Sequence, residues 1–108
     1  MTDNERQEMR EWTARLMGVN LNDLTNLPDG LDYRIFVDWN PDEDLDKAFI
    51  VEKKLRDMRW FYKLYYNRLK NTHVASFWSG FGFGKTDDYS DKNPATALMK
   101  AAMATGVG

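Results

Sequence analysis

The chain has 108 residues, 43% of them hydrophobic and 14% aromatic, with a formal net charge of −2. That is room for one domain spanning 1–108 with one real core, and too many aromatic rings for a disordered chain. It has no cysteine, which excludes disulfide staples, thiol catalysis and Cys-ligated zinc or iron–sulfur sites. The N-terminus is polar and carries both charge signs, unlike a signal or transit peptide. No run of about 18 apolar residues occurs, so no membrane partner and a cytoplasmic chain are expected.

Thr2-x-x-Glu5 has the form of a capping box and opens a helix over 3–17, with Met9, Trp12 and Leu16 on one face and Gly18 as its stop. Residues 19–31 read as a connection ending in the turn chemistry of Pro28-Asp29-Gly30. Tyr33, Ile35, Val37 and Trp39 then alternate with Arg34, Phe36 and Asp38, the pattern of a short edge strand or an extended packing segment. Asn40-Pro41-Asp42-Glu43 joins a cap, a proline for the first helical position and an acid three residues after the cap. It opens a second helix running to about Met58, buried along Leu45, Ala48, Val51, Leu55 and Met58.

Residues 60–66 carry bulky side chains on both faces, which suits a strand sandwiched between layers. Residues 68–72 turn the chain, and 73–81 form a second strand, giving a hairpin. The glycines at 80, 82 and 84 end it, tucking in Phe81 and Phe83 or leaving an aromatic loop free for a partner, and 85–92 read as polar loop. Asn93-Pro94 opens a last helix, rich in alanine and stopped by Gly106. The expected fold is α+β: a three-layer α/β/α sandwich around a small antiparallel sheet.

Trp39-x-Pro41 before a helix, Val51-Glu52-Lys53-Lys54-Leu55 at its end, an aromatic strand, a second strand containing Trp78, and Ala97-Leu98-Met99-Lys100-Ala101-Ala102 together resemble the phage ABA-sandwich domain family. The likeness covers roughly residues 5–105 and rests on packing positions. It implies a sheet covered by helices on both faces, a phage or prophage origin, and no catalytic residues to carry over. Small accessory proteins of that setting act by binding host or defence components, so the expected function is protein–protein binding, as an inhibitor for instance.

Charge is divided along the chain. Residues 23–46 hold eight acids and one base, and residues 47–73 hold eight bases and two acids. Part of this is helix physics, since acids favour the positive end of a helix dipole and bases its negative end. The remainder marks Asp38, Asp42, Glu43, Asp44 and Asp46 as a surface for a basic host or phage protein, with Phe81, Phe83 and Lys85 as a second contact. Lys63, Arg68 and Lys70 beside tyrosines form the alternative face, suited to nucleic acid or a small ligand. A bare sheet edge also permits homo-oligomers.

Several chemistries fail at named positions. Residues 79–86 approach a Walker A loop, but Ser79 stands where its first glycine belongs and Asp87-Asp88 follow where a helix should open. Asp42, Asp44 and Asp46 begin like an EF-hand loop, but Lys47 and Lys53 occupy its glycine and its last acid. His73 is the only histidine, so no multi-histidine site can form. No cofactor, metal site or catalytic set is expected, and the chain reads as a binding protein rather than an enzyme.

Overall fold

Thr2 starts the first helix as its spacing predicts. Its hydroxyl accepts from the Glu5 N–H at 3.2 Å, and the Glu5 carboxylate accepts from the Thr2 N–H at 3.2 Å. This reciprocal pair satisfies donors that the helix itself cannot. In the computed structural model, which describes residues 1–82 and 84–107, α1 spans Asp3–Leu16. It buries Met9, Thr13 and Ala14, while Trp12 and Leu16 are half-buried. Gly18 takes φ 75°, the left-handed conformation glycine adopts without strain.

The alternating segment is not a strand. Tyr33–Val37 forms a single helical turn, α2, capped by Asp32, whose side chain accepts from the Arg34 N–H. Tyr33 and Val37, expected to face inward, are exposed, and Phe36 is buried instead. Among the described residues no strand lies beside this segment, so its backbone groups are satisfied locally, as in Ile35 N–H to Asp32 C=O at 3.1 Å. The Phe36 ring packs against Trp39 with centroids 4.6 Å apart.

The next helix, α3, spans Leu45–Asp57 and begins later than expected. Asp44, not Asn40, is its cap, and residues 41–43 form a turn in which the Asn40 C=O accepts from Glu43 and Asp44. Ala48, Val51 and Leu55 are buried as expected, and Glu52 joins them. Met58 is at the C-cap and exposed.

The hairpin is present. β1 (Trp60–Asn67) and β2 (Thr72–Ser79) pair antiparallel without a break, with Tyr62 opposite Phe77 and Lys63 opposite Ser76. A short third strand, β3 (Tyr89–Asp91), pairs with β2 where polar loop was expected. Its three residues carry no periodic signal, and only its neighbour gives it structure. Asn93 caps α4 (Pro94–Ala104), accepting from the Ala95 N–H at 2.8 Å. Lys100 of α4 binds Asp91 of β3 at 3.2 Å.

The α+β class with a small antiparallel sheet, ordered β1-β2-β3, is therefore what the chain adopts. The layering differs from helices on either side of the sheet. α3 packs on β1, α4 packs on β2 and β3, and α1 packs on α3 and α4. The core gathers Ala75 and Phe77 of β2, Val51 and Leu55 of α3, and Leu98 and Ala102 of α4, with Tyr62, Leu64 and Tyr89 against it. These sheet residues share one face by register. The opposite face carries Phe61, Lys63, Tyr65, Val74, Ser76 and Trp78, and among the described residues no helix packs over it. Bulky residues on both faces reflect cross-strand pairing there, such as Phe61 with Trp78, rather than a covering layer.

Arg59 joins α3 to β1 at φ 68°, a left-handed conformation that strains a residue with a Cβ. Its side chain is exposed. Arg59→Gly is expected to raise unfolding stability by about 1 kcal/mol in urea titrations, with an unchanged m-value.

Candidate functional site

The acids from 38 to 46 do not form one free surface. Asp42 is fully buried, held by Arg6 Nη1 at 2.7 Å, Arg10 Nε at 2.9 Å and Arg10 Nη2 at 3.1 Å. Arg6 and Arg10 stand one turn apart on α1 and so reach the same carboxylate. Thr96 of α4 donates its hydroxyl to the Asp42 carbonyl at 2.6 Å. Burial opposes ionisation of Asp42, but hydrogen bonds from Arg10 and Arg6 outweigh it and hold its pKa below the usual aspartate range. Glu43, half-exposed, lies 3.6 Å from both arginines. Asp44 is spent on its cap. Lys47 donates to the Asp38 carbonyl and to Asn40 Oδ1. Asp38 and Asp46 remain exposed.

A polar cleft of about 490 Å³ opens beside this cluster, lined by Arg10, Asp38, Asn40, Glu43 and Lys47 among others. Both of its cations are already engaged inside the protein. Among the described residues no three His, Asp or Glu side chains converge to hold a metal ion.

A second unspent surface is the sheet face away from the helices. Phe61 and Trp78 lie opposite each other, their centroids 6.2 Å apart, and Lys85 is bridged to Trp78 on the far side. Directly opposed residues share a face, so the three form one row across the sheet. In the next rows, Lys63 lies opposite Ser76 and Tyr65 opposite Val74. Lys63 Nζ sits 5.1 Å from the Tyr65 ring centroid, a cation–π distance. Trp78 is 40% exposed and Tyr65 42% exposed. Gly80 makes the row possible, because a Cβ there would meet the Phe61 ring at 2.7 Å and the Arg59 carbonyl at 3.1 Å.

Of the two arrangements expected for the aromatic residues after the hairpin, tucked in or free for a partner, Phe81 takes the second. Phe81 is 66% exposed at the end of β2; Phe83 lies outside the described residues. The Lys85-Thr86 segment runs beside β2, with the Thr86 N–H bonded to the Phe77 C=O at 2.8 Å and its hydroxyl accepting from the Phe77 N–H. It is extended, so it lacks the helix N-terminus that a phosphate loop requires. Arg68 and Lys70 flank the fully exposed Leu69 at the hairpin tip, away from Lys85 but on the same hairpin as Lys63. Sequence reasoning thus singled out Lys63 with its neighbouring tyrosines, Phe81 and Lys85 but missed Phe61 and Trp78. Their alternation in the hairpin was visible; that nothing covers them was not.

Comparison with family models, with curated proteins and with solved structures finds no match for this chain.

Two acids make opposite demands on pH. Asp42, with its lowered pKa, contributes stability above the ordinary aspartate range that is lost as pH falls through the folded value. Asp42→Ala is expected to lose about 3 kcal/mol at pH 7 and to flatten the acid limb of the stability curve. Glu52 is buried with Oε1 unpartnered, and burial raises its pKa. A raised pKa favours folding at low pH and penalises it as pH rises. Glu52→Gln is therefore expected to stabilise the chain at pH 7, by a margin that shrinks on acidification. Urea titrations across pH 3–8 check both.

Proposed function

We propose that this chain is a non-catalytic binding protein that docks a protein partner on the open face of its sheet. The observation that carries this reading is the uncovered aromatic face. Phe61, Tyr65 and Trp78 are presented there with no layer over them, and Lys63 and Lys85 are interleaved among them. Aromatic residues on a rigid sheet are good anchors, since they bring large contact area with little side-chain entropy to lose. The lysines favour a partner whose apolar patch is rimmed by acids. The acidic stretch has a smaller part in this reading, because Asp42 and Asp44 are committed to the fold. The sequence resemblance supplies the setting: a phage or prophage accessory protein, working in the host cytoplasm on a host or defence factor.

One observation favours a second reading. Cations alternate with rings on a single face, and Arg68 and Lys70 extend the positive charge along the hairpin. That pattern also suits single-stranded nucleic acid, with bases stacked on rings and phosphates held by lysines. Binding of an oligonucleotide that weakens steeply with salt favours this alternative; no binding at low salt removes it.

The test is affinity capture from host lysate with matched variants, followed by titration of the captured protein. Trp78→Ala combined with Lys85→Glu is expected to weaken binding at least about 30-fold, the scale of an interface anchor. Asp38→Lys combined with Asp46→Lys is expected to change it by less than about threefold. Full retention by the first variant together with loss by the second contradicts the proposal.

A further inference from the structure

We propose that two copies of this chain pair antiparallel through the free edge of β1, with Leu64 opposite Leu64 on a two-fold axis. This inference is independent of what docks on the sheet face. The Phe77 C=O and N–H bond to Thr86, and the Ser79 N–H bonds to the Gly84 C=O at 2.8 Å. The Gly80 N–H bonds to the Arg59 C=O at 2.6 Å. Odd-numbered residues of β2 therefore turn their backbone away from β1, and even-numbered ones turn toward it. In the observed register, Phe61, Lys63, Tyr65 and Asn67 spend their backbone groups on β2. Trp60, Tyr62, Leu64 and Tyr66 turn theirs outward, and among the described residues no backbone group meets them.

This edge is eight residues long, contains no proline and pairs with β2 without a bulge. Lys63 is the one charge along it, and charge is a usual device against edge pairing. Here it selects a register instead. A second β1 must set outward-turned residues against outward-turned residues, and only two such antiparallel registers overlap over seven residues. In the first, Tyr62 faces Leu64 of the second copy, and Lys63 faces Lys63 of the second copy. That pair is of the closely spaced kind, with Cα atoms about 4.5 Å apart, and like charges there repel. In the second, Leu64 faces Leu64, Tyr62 faces Tyr66, and Lys63 faces Tyr65 of the second copy. Each Lys63 already sits over its own Tyr65 ring and gains another. Tyr66, 48% exposed on the helix-bearing side beyond the body of the sheet, gains Tyr62 of the second copy as a neighbour. The product is one six-stranded sheet, with the aromatic face continuous across the axis.

Sedimentation equilibrium of the full chain tests this. The wild type is expected to sediment at twice its 12.7 kDa mass at micromolar concentrations. Tyr65→Lys places like charges opposite each other and is expected to raise the dimer dissociation constant at least tenfold. Adding Lys63→Glu to that variant makes the facing charges opposite and is expected to restore it to within about threefold of wild type. Residue 65 is exposed, and circular dichroism checks that each variant keeps its fold. A wild type that stays monomeric to about 100 μM overturns the proposal, even if a foreign strand can add to the edge. So does a Tyr65→Lys variant that remains dimeric, or a double variant that remains monomeric in a folded state.

Discussion

The carboxylate of Asp42 is the point where the helical side of the molecule is tied together. Arg6 and Arg10 reach it from α1, and Thr96 of α4 holds the carbonyl of the same residue. It lies in the turn that leads into α3, so one residue fixes the relative placement of three helices. A buried carboxylate is tolerated only when its charge is compensated and its lone pairs are used, and two guanidinium groups do both. Trp39 adds a second tie, donating its indole N–H to Thr13 of α1 at 2.8 Å. The chain on either side of Pro41 is thus bound into the helical layer.

That arrangement leaves the sheet one-sided. With α1 held against α3 and α4, and α3 and α4 on the sheet, no helix among the described residues is left over for the other face of the hairpin. The outer residues pack on one another instead: the Phe61 ring lies over Gly80 and beside Trp78, and Val74 and Ser76 of the central strand are buried. A bare, ordered aromatic surface of this kind on a small chain is a natural place for a partner. The same one-sidedness leaves β1 with a long free edge, whose charge and hydrogen-bond phase are compatible with a single extended pairing.

Local signals were the legible part of the fold. Thr2 with Glu5, Gly18, and Asn93 with Pro94 act through atoms a few residues apart, and they placed α1 and α4 closely. The aromatic hairpin was legible because its residue types and its turn agree. What was not legible depends on distant partners. Tyr33, Ile35 and Val37 alternate like a strand, but a strand needs a neighbour to bond to, and none is there. The start of α3 moves from Asn40 to Asp44 because Asp42 is drawn to arginines more than thirty residues away. β3 exists only through β2. The candidate site divided on the same line: acids that looked free in the sequence are partly consumed by the fold, while Phe61 and Trp78 looked like core and are not.

One covered and one bare face of the sheet are what the partner site depends on, and hydroxyl-radical footprinting of the isolated chain tests that most directly. Trp78 and Phe81 are predicted to oxidise rapidly, while Trp39 and Phe36, buried behind α1, are predicted to be protected. Trp78 as slow to react as Trp39 would show that something covers that face and would contradict the account.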